Sequence, residues 1–279
     1  MIKTEAISQG AVARFFYEVR EGSRRQGNVL FALIFKELKA RAGDNAGRLY
    51  NLAMVVLEPA IGSVLLTAFW WIVSRVEVGG VHVALFVAVS YTPFSIIRRS
   101  LSSIPRSLRS NIAFYAYQQV KPFDSITAQF IIEFTLTIVG GTLLLFVLWW
   151  FLGLSIRTDS LLELFGMLVL LGAIAFGLSL TIGVYGTRFP VLSSLIGASS
   201  RGLLLLCAVM HPVSDLPSNA TYYLALNPIA HVEEKIRQYT LGIKPFPEAS
   251  VSYPAYFALI MLFFGFASYY ANRHRVIER

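Results

Sequence analysis

Hydrophobic residues fall into six long runs separated by short polar segments, and this pattern predicts an all-α integral membrane protein. A helix rises about 1.5 Å per residue, so about twenty apolar residues cross the hydrocarbon layer. We place the six spans at residues 52–74, 83–105, 126–152, 161–186, 190–210 and 254–271. Tryptophans close to the ends of the first and third runs suit the aromatic belt at a membrane surface.

Residues 1–48 precede the first span and contain an amphipathic helix. One face carries Phe31, Ile34, Phe35, Leu38 and Ala42, and the opposite face carries Lys36, Glu37, Lys39 and Arg41. This periodicity indicates a helix lying in the membrane interface, and packing against a soluble partner is the alternative. The polar, charged start of the chain is unlike a cleavable signal peptide.

The segment 211–253 is the longest stretch between two predicted spans. It shows helical periodicity, but no part of it reaches twenty apolar residues, and Asn227-Pro228 interrupts it. Two short helices that enter the outer leaflet and return, a re-entrant hairpin, fit this pattern. A cap lying on the membrane surface is the alternative.

Composition and charge support a membrane protein with a fixed orientation. The chain is 56% hydrophobic and 14% charged, whereas soluble domains carry about 25% charged residues. A net charge of +8 is compatible with nucleic-acid binding, but eighteen of the twenty-four Lys and Arg lie on the side of the N-terminus. The positive-inside rule therefore places both termini, including the tail 273–279, in the cytoplasm. A single cysteine, Cys207, excludes internal disulfides.

Arginines interrupt the second span. Only fifteen residues, 83–97, precede Arg98 and Arg99. If the helix continues, one face carries Tyr91, Ser95, Arg98, Ser102, Arg106 and Arg109, here called the arginine stripe. An arginine facing lipid costs several kcal/mol, so the stripe is expected to face protein, water or an acidic substrate. Snorkelling of individual arginines to anionic headgroups is the alternative.

Two further charges lie inside predicted spans. Glu133 and Arg201 lie at similar depth, which suggests an ion pair, and a role for Arg201 alone is the rival interpretation. A stripe of small residues on the fifth span indicates either close helix packing, including a dimer interface, or pathway lining.

Sequence patterns for catalysis are absent. The phosphate-binding pattern G-x-x-x-x-G-K-[ST] does not occur, and neither does an Asp-rich cluster suited to magnesium. The four histidines are scattered, so no metal site is expected. A membrane enzyme is therefore disfavoured, and a self-contained channel or secondary transporter stays a distant alternative, although the two halves show no convincing repeat.

Three segments carry a family resemblance that covers roughly residues 28–275. They are residues 34–59 with Lys36, Arg41, Gly47, Glu58 and Pro59; residues 110–134 with Asn111, Val120, Lys121, Pro122, Asp124 and Glu133; and residues 215–238 with Asp215, Leu216, Pro217, Asn227, Pro228, His231, Glu234 and Arg237. The chain resembles membrane subunits of ABC-2 type exporters, in the capsular polysaccharide and O-antigen branch, and especially the group 2 capsule exporter permease. The family's usual Ser-Gly before the segment 211–253 either appears here as Cys207-Ala208 or is displaced.

The resemblance implies a homodimer of six-span subunits with two separate ATPase subunits, which bind MgATP; this chain needs no cofactor. It implies a transmembrane domain at 49–272, a cytoplasmic loop at 106–124 that contains the gate or coupling helix, and re-entrant periplasmic helices within 211–253. The expected location is the Gram-negative inner membrane, beside a periplasmic co-polymerase and an outer-membrane polysaccharide channel. ATPase coupling is expected at Arg109, Asn111, Tyr115, Tyr117, Lys121 and Pro122. The periplasmic segment is expected to depend on Asn227, Pro228, His231, Glu234 and Arg237.

The expected substrate is a lipid-linked, acidic capsular polysaccharide, with an O-antigen or teichoic acid as the alternative. Guanidinium groups would offset acidic groups, and aromatic rings would stack on sugars. The predicted pathway residues are Tyr91, Arg98, Arg99, Ser102, Arg106, Arg201, Phe69, Trp70 and Trp149. Rings close to span ends are alternatively membrane anchors, so Tyr91 is the preferred stacking residue.

Overall fold

Helices make up most of the described residues in a computed structural model, which confirms that the chain is mainly α-helical. The structure describes residues 2–43, 48–72, 77–189, 191, 202, 204, 207–213 and 216–277. The helices are α1 Ile2–Ala42, α2 Arg48–Ile72, α3 Val83–Ser110, α4 Pro122–Leu152, α5 Leu161–Arg188, α6 Ser218–Ala225, α7 Pro228–Leu241 and α8 Ser252–Ile277. A short hairpin joins α2 to α3: β1 (Glu77–Val78) pairs with β2 (Val81–His82) around Gly79 and Gly80, which both have positive φ.

Three of the described helices are long and apolar enough to cross a membrane, within residues 122–152, 161–186 and 252–273. These are the third, fourth and sixth predicted spans. The first predicted span corresponds to α2, whose apolar part, 56–72, is shorter. The fifth predicted span, 190–210, falls mostly outside the described residues, and so does Arg201.

Both ends of the predicted loop 106–124 belong to helices. The helix of the second predicted span does continue through its arginines, because α3 runs unbroken to Ser110 and includes Pro93 and Pro105. This helix is not one of the three described helices that are apolar enough to cross a membrane. The fourth helix, α4, begins at Pro122, where the Asp124 side chain accepts a hydrogen bond of 2.9 Å from the Lys121 N–H. Only residues 111–121 therefore separate the two helices, and 112–116 form a 3₁₀ helix.

The central helix is α3. It packs against α2, α4, α5 and α7, and Phe86, Phe94, Ile96 and Ile104 are fully buried along it. Burial on all sides holds the arginine stripe in a fixed orientation relative to four neighbouring helices. The last turns of α3 are the exception, because Ser102, Arg106 and Arg109 are exposed there.

Glycines bring α5 and α8 into backbone contact. A Cβ atom at Gly177 would lie 2.6 Å from the backbone carbon of Met261, and one at Gly265 would lie 2.6 Å from the carbonyl oxygen of Gly177. Small residues permit this approach between helices in a membrane. The crossing places the last turns of α8 beside the start of α4, where the Phe123 N–H donates to the Tyr269 hydroxyl at 3.4 Å.

The segment 211–253 forms two short helices, α6 and α7, that separate at Asn227-Pro228 as predicted. The second of them, α7, packs against α3 and α5. Its Glu233, Glu234 and Arg237 side chains are fully buried. The α7 helix is therefore enclosed by neighbouring helices, and the choice between a re-entrant hairpin and a surface cap stays a prediction.

Candidate functional site

Six charged residues meet where α1, α2, α3 and α4 converge. We call this group the charged cluster; it comprises Glu37, Arg41, Glu58, Arg98, Arg99 and Glu133. Three arginines face three glutamates, so the cluster is neutral as a whole. It joins the N-terminal helix to the arginine stripe of α3.

Glu133 is the fixed centre of the charged cluster. Its side chain is 3% exposed, and its two oxygens accept hydrogen bonds from Arg41 Nη2 at 2.6 Å and Arg99 Nε at 3.0 Å. Gln129 Nε2 donates a third bond at 2.7 Å. Such charge-assisted bonds offset the cost of burying the carboxylate.

The predicted pairing of Glu133 with Arg201 lies outside the described residues and stays a prediction. The described partners of Glu133 are Arg41 and Arg99. The sequence places Arg41 on the polar face of an interfacial helix, and no spacing signal connects it with α4. Its sequence neighbour Glu37, one helical turn away and 3.3 Å from Arg41 Nε, marks a charged pair on α1 that points towards the other helices.

Glu58 makes looser contacts than Glu133. Its oxygens lie 3.6 Å from Arg98 Nη2 and 3.4 Å from Arg99 Nη2, and the side chain is 53% exposed. The Arg98 guanidinium also lies over the Tyr91 ring, 5.9 Å from its centre. Arg99 thus stands between a buried carboxylate and a half-exposed one, as part of the charged cluster.

The arginine stripe occupies one face of α3, but α2 covers its N-terminal half. Tyr91 and Ser95 are buried, and the Tyr91 ring lies so close to Gly62 of α2 that a Cβ there would overlap it. The C-terminal half of the stripe is open at Ser102 and Arg106. Arg109 donates to the Gly186 carbonyl at 3.1 Å and so ties α3 to the end of α5.

The predicted aromatic pathway residues divide into two exposed rings away from the stripe, Phe69 and Trp149, and one ring, Trp70, that packs against the buried cluster containing Tyr91. Trp149 is exposed beside Phe146 and lies sixteen residues from Glu133 along α4, which is about 24 Å. Phe69 is exposed near the end of α2, and Trp70 packs against the buried group around Phe86. The exposed rings at helix ends fit membrane anchors better than sugar-stacking residues.

The segment 111–121 divides into buried and exposed residues. Asn111 is buried, accepts a hydrogen bond of 2.5 Å from Lys36 Nζ of α1 and donates to Ser107. Tyr115 is buried too, and burial raises its pKa to about 12, so the phenol is uncharged. Tyr117 and Lys121 are exposed. Of the predicted coupling residues, Arg109, Tyr117 and Lys121 face outward, while Asn111, Tyr115 and Pro122 hold the segment in place.

Comparison with known proteins decides the family. Residues 28–241 match the sequence model of the ABC-2 type transporter family. The chain belongs to the ABC-2 type transporter family. The resemblance drawn from the three segments is confirmed.

Several relatives of this ABC-2 chain are named for capsule export. Polysialic acid transport protein KpsM of Escherichia coli is 28% identical over 90% of this chain and 95% of its own length. Capsule polysaccharide export inner-membrane protein CtrC of Neisseria meningitidis is 24% identical over 76% and 78%. The protein of the same description from Haemophilus influenzae, BexB, is 22% identical over 86% and 89%.

Two buried charged residues of α7, Glu234 and Arg237, hold the preceding segment of this ABC-2 chain in place. Arg237 Nη1 donates to the Ala208 carbonyl at 2.7 Å and Nη2 lies 2.9 Å from Glu234 Oε1. The same Glu234 oxygen accepts the Val213 N–H at 3.0 Å. These contacts fasten residues 208–213 to α7, and the Arg237 guanidinium also lies over the Phe86 ring of α3.

The other three motif residues shape α7 and its surroundings. Asn227 caps the helix by accepting the Ile229 N–H at 3.0 Å, and Pro228 occupies the first turn. His231 Nδ1 accepts the Ser250 N–H at 3.1 Å, so its Nε2 donates to the Ala225 carbonyl at 2.7 Å. The motif therefore has a structural role in the described part of the chain.

Two local details bear on the sequence analysis. Ala208 adopts a positive φ of 56°, a conformation that glycine adopts more easily, at the position where the resemblance expected Ser-Gly. Across the described ranges, no three His, Cys, Asp or Glu side chains are grouped to hold a metal ion.

Proposed function

We propose that this chain is the permease subunit of an ATP-binding cassette exporter that moves a lipid-linked, acidic capsular polysaccharide across the inner membrane. The observation that carries the proposal is the match to relatives named for capsule export over 76% to 90% of this chain. Because these matches cover 78% to 95% of the relatives' own length, we transfer the role of the whole subunit rather than of one domain.

The proposed topology has six spans in a domain at 49–272, with both termini in the cytoplasm. The distribution of Lys and Arg supports this orientation. Phe31 and Phe35 are 72% and 61% exposed beside Lys36 and Lys39, which supports an interfacial position for the second half of α1. The burial of α7 supports a re-entrant position for α6 and α7 on the periplasmic side.

The energy source is a pair of separate ATPase subunits that bind MgATP, working on a permease homodimer. Support comes from family membership and from the absence of a phosphate-binding loop in this sequence. The exposed residues Arg109, Tyr117 and Lys121 would contact the ATPase. Lys36 and Arg41 would transmit movement between α1, the 111–121 segment and the charged cluster.

The polymer passes the cytoplasmic half of the arginine stripe. Arg98, Arg99, Arg106 and Arg201 are proposed to offset its carboxylates or phosphates. Arg106 is exposed and, among the described residues, forms no ion pair with a carboxylate. Beyond the membrane, a periplasmic co-polymerase and an outer-membrane channel would receive the polymer.

Export of an O-antigen or teichoic acid by the same mechanism is the second candidate. The neutrality of the charged cluster favours it, because Arg98 and Arg99 already have carboxylate partners within the chain. A neutral polymer needs no excess of positive charge at this point.

The proposal is tested by co-expressing the tagged chain with the ATPase subunit encoded beside it. We expect co-purification in a two-to-two ratio, and restored capsule in a host strain that lacks its own capsule permease. A chain that purifies without any ATPase yet transports would identify a secondary transporter instead. Surface O-antigen in place of capsule would favour the second candidate.

A further inference from the structure

Glu58 and Glu133 both face Arg99 but differ in burial and in hydrogen bonding. Glu133 is buried and receives three hydrogen bonds of 2.6 to 3.0 Å. Glu58 is half-exposed, and its nearest guanidinium nitrogens, at 3.4 and 3.6 Å, lie beyond good hydrogen-bonding distance. Glu58 therefore offsets charge on Arg98 and Arg99 without satisfying their N–H groups.

Two guanidinium nitrogens beside Glu58 are buried without an acceptor. Arg98 Nε and Arg99 Nη1 have no hydrogen-bond partner in the described part of the chain, and the Arg99 side chain is 6% exposed. Buried donors normally find acceptors, because leaving a charged one unpaired costs stability. An anion with several oxygens, such as a phosphate, is the kind of group that adjacent guanidinium groups bind.

The approach to these donors is apolar. Three exposed apolar residues lie on the same face of α2 as Glu58, at helical spacing from it: Met54, Ile61 and Leu65. Glu58 is the only charged residue after Arg48 in α2. A carboxylate in such a stripe is costly unless it has a cationic partner. An anion reaching Arg98 along this face is best carried on an apolar chain.

We propose that Arg98 and Arg99 form a binding site for the phosphate of a lipid-linked molecule, and that Glu58 occupies this site as a displaceable internal counter-ion. The inference rests on the proposed function, of which it names the lipid-borne anchor group. When the phosphate displaces Glu58, three arginines face two remaining glutamates, so the cluster has a positive charge for the phosphate to offset.

Displacement of Glu58 would affect the position of the N-terminal helix. Glu133 of α4 stays bonded to both Arg99 of α3 and Arg41 of α1, so a shift of the Arg99 side chain is transmitted to α1 through Glu133. The site thus couples the arrival of a lipid-borne phosphate to the helix that also binds Asn111 through Lys36.

The test measures lipid binding to the full chain, purified with its ATPase subunit in phosphatidylcholine nanodiscs. The probe is dioleoylphosphatidic acid, with inorganic phosphate and dioleoylglycerol as the soluble and uncharged arms. We expect Glu58→Gln to bind phosphatidic acid about tenfold more tightly than the wild type, since it removes a competing half-exposed carboxylate. Adding Arg98→Gln should return the affinity to the wild-type value or below. Glu163→Gln, at an exposed carboxylate in the first turn of α5, is the matched control.

The site is overturned if Glu58→Gln and wild type bind phosphatidic acid equally, if Glu163→Gln gives the same gain, or if dioleoylglycerol binds as tightly. An equal gain with inorganic phosphate supports the site and identifies soluble phosphate as its source. The proposed function and the proposed site fail by different results. If the complex exports polymer but Glu58→Gln does not change lipid binding, only the phosphate site is refuted. If Glu58→Gln tightens lipid binding but the chain has no ATPase partner, the site is supported and the exporter function is refuted.

Discussion

Arg41 of α1 donates a hydrogen bond of 2.6 Å to Glu133 of α4, although the two residues are 92 positions apart in the chain. The contact places a charged side chain of the N-terminal helix against the buried face of a membrane helix. Arg99 holds the other oxygen of the same carboxylate. The N-terminal helix is thereby fastened to the two helices that carry most of the site.

Replacing Glu133 by Gln should destabilise the protein strongly, because it leaves two guanidinium groups without their carboxylate. We expect a loss of about 3 kcal/mol, as for other broken buried pairs. Glu58→Gln, at the half-exposed carboxylate, should cost less than about 1 kcal/mol. Thermal unfolding of both variants in one detergent measures the difference, and equal losses would show that Glu133 is not the centre of the cluster.

Two neighbouring glutamates of α7 offer a second comparison. Both are fully buried, but Glu234 binds Arg237 and the Val213 N–H, whereas Glu233 has no hydrogen-bond partner among the described residues. Glu234→Gln should lose about 3 kcal/mol of stability. Glu233→Gln should be stabilising at pH 7, because burial raises the pKa of Glu233 to about 8 in the folded protein, whereas the carboxyl of the unfolded chain is ionised at this pH.

The pH dependence separates these two variants further. The folded-state pKa of Glu233 lies above its unfolded value, so its carboxyl lowers stability progressively as pH rises from about 4.5 to about 8. The wild type should therefore become less stable between pH 6 and pH 8, and Glu233→Gln should lack this part of the decline. Parallel melting curves for the two proteins over this range would refute the assignment.

The Lys36–Asn111 contact predicts a coupling defect with an intact fold. Lys36→Met keeps the apolar stem but removes the hydrogen bond to Asn111, which should release α1 from the 111–121 segment at a cost of about 2 kcal/mol. We expect faster amide hydrogen exchange in residues 111–121 and ATP hydrolysis that no longer drives export. Lys39→Met, at an exposed neighbour on the same helix, should change neither.

The α5–α8 crossing predicts opposite effects of one substitution at two glycines of the same helix. Gly177→Ala would force a Cβ to within 2.6 Å of the α8 backbone, so the two helices must separate. We expect the free energy of unfolding to fall by about 1 to 3 kcal/mol, as at other overpacked sites. Gly166 has open space around it, so Gly166→Ala should be neutral or stabilising by up to about 1 kcal/mol. A Gly177→Ala protein as stable as the wild type would contradict the crossing.

Sequence analysis predicted those features that a single helix or a local break determines. The apolar runs of α4, α5 and α8 follow from hydropathy, and the break at Asn227-Pro228 follows from the backbone limits of proline. The common face of the arginine stripe follows from helical periodicity.

Features that depend on how helices pack sideways were not predictable. Depth along a span can be counted, and it led to Arg201 as the partner of Glu133. Which helix stands beside α4 depends on contacts far apart in sequence, and there the described partners are Arg41 and Arg99. For the same reason, the sequence did not predict two contacts of α2. These are the packing of α2 over Tyr91 and the position of Glu58 beside the arginines.

We propose that exposed and half-buried arginines at the cytoplasmic end line the pathway of an anionic polymer, and that a separate ATPase supplies the energy for its transport. Uptake of a labelled lipid-linked polymer into inverted inner-membrane vesicles tests this most directly, with an acidic and a neutral polymer compared. We predict that uptake needs the ATPase subunit and ATP, and that Arg106→Gln strongly reduces uptake of the acidic polymer but not of the neutral one. Unchanged uptake of the acidic polymer by this variant, or uptake without the ATPase subunit, would contradict the account.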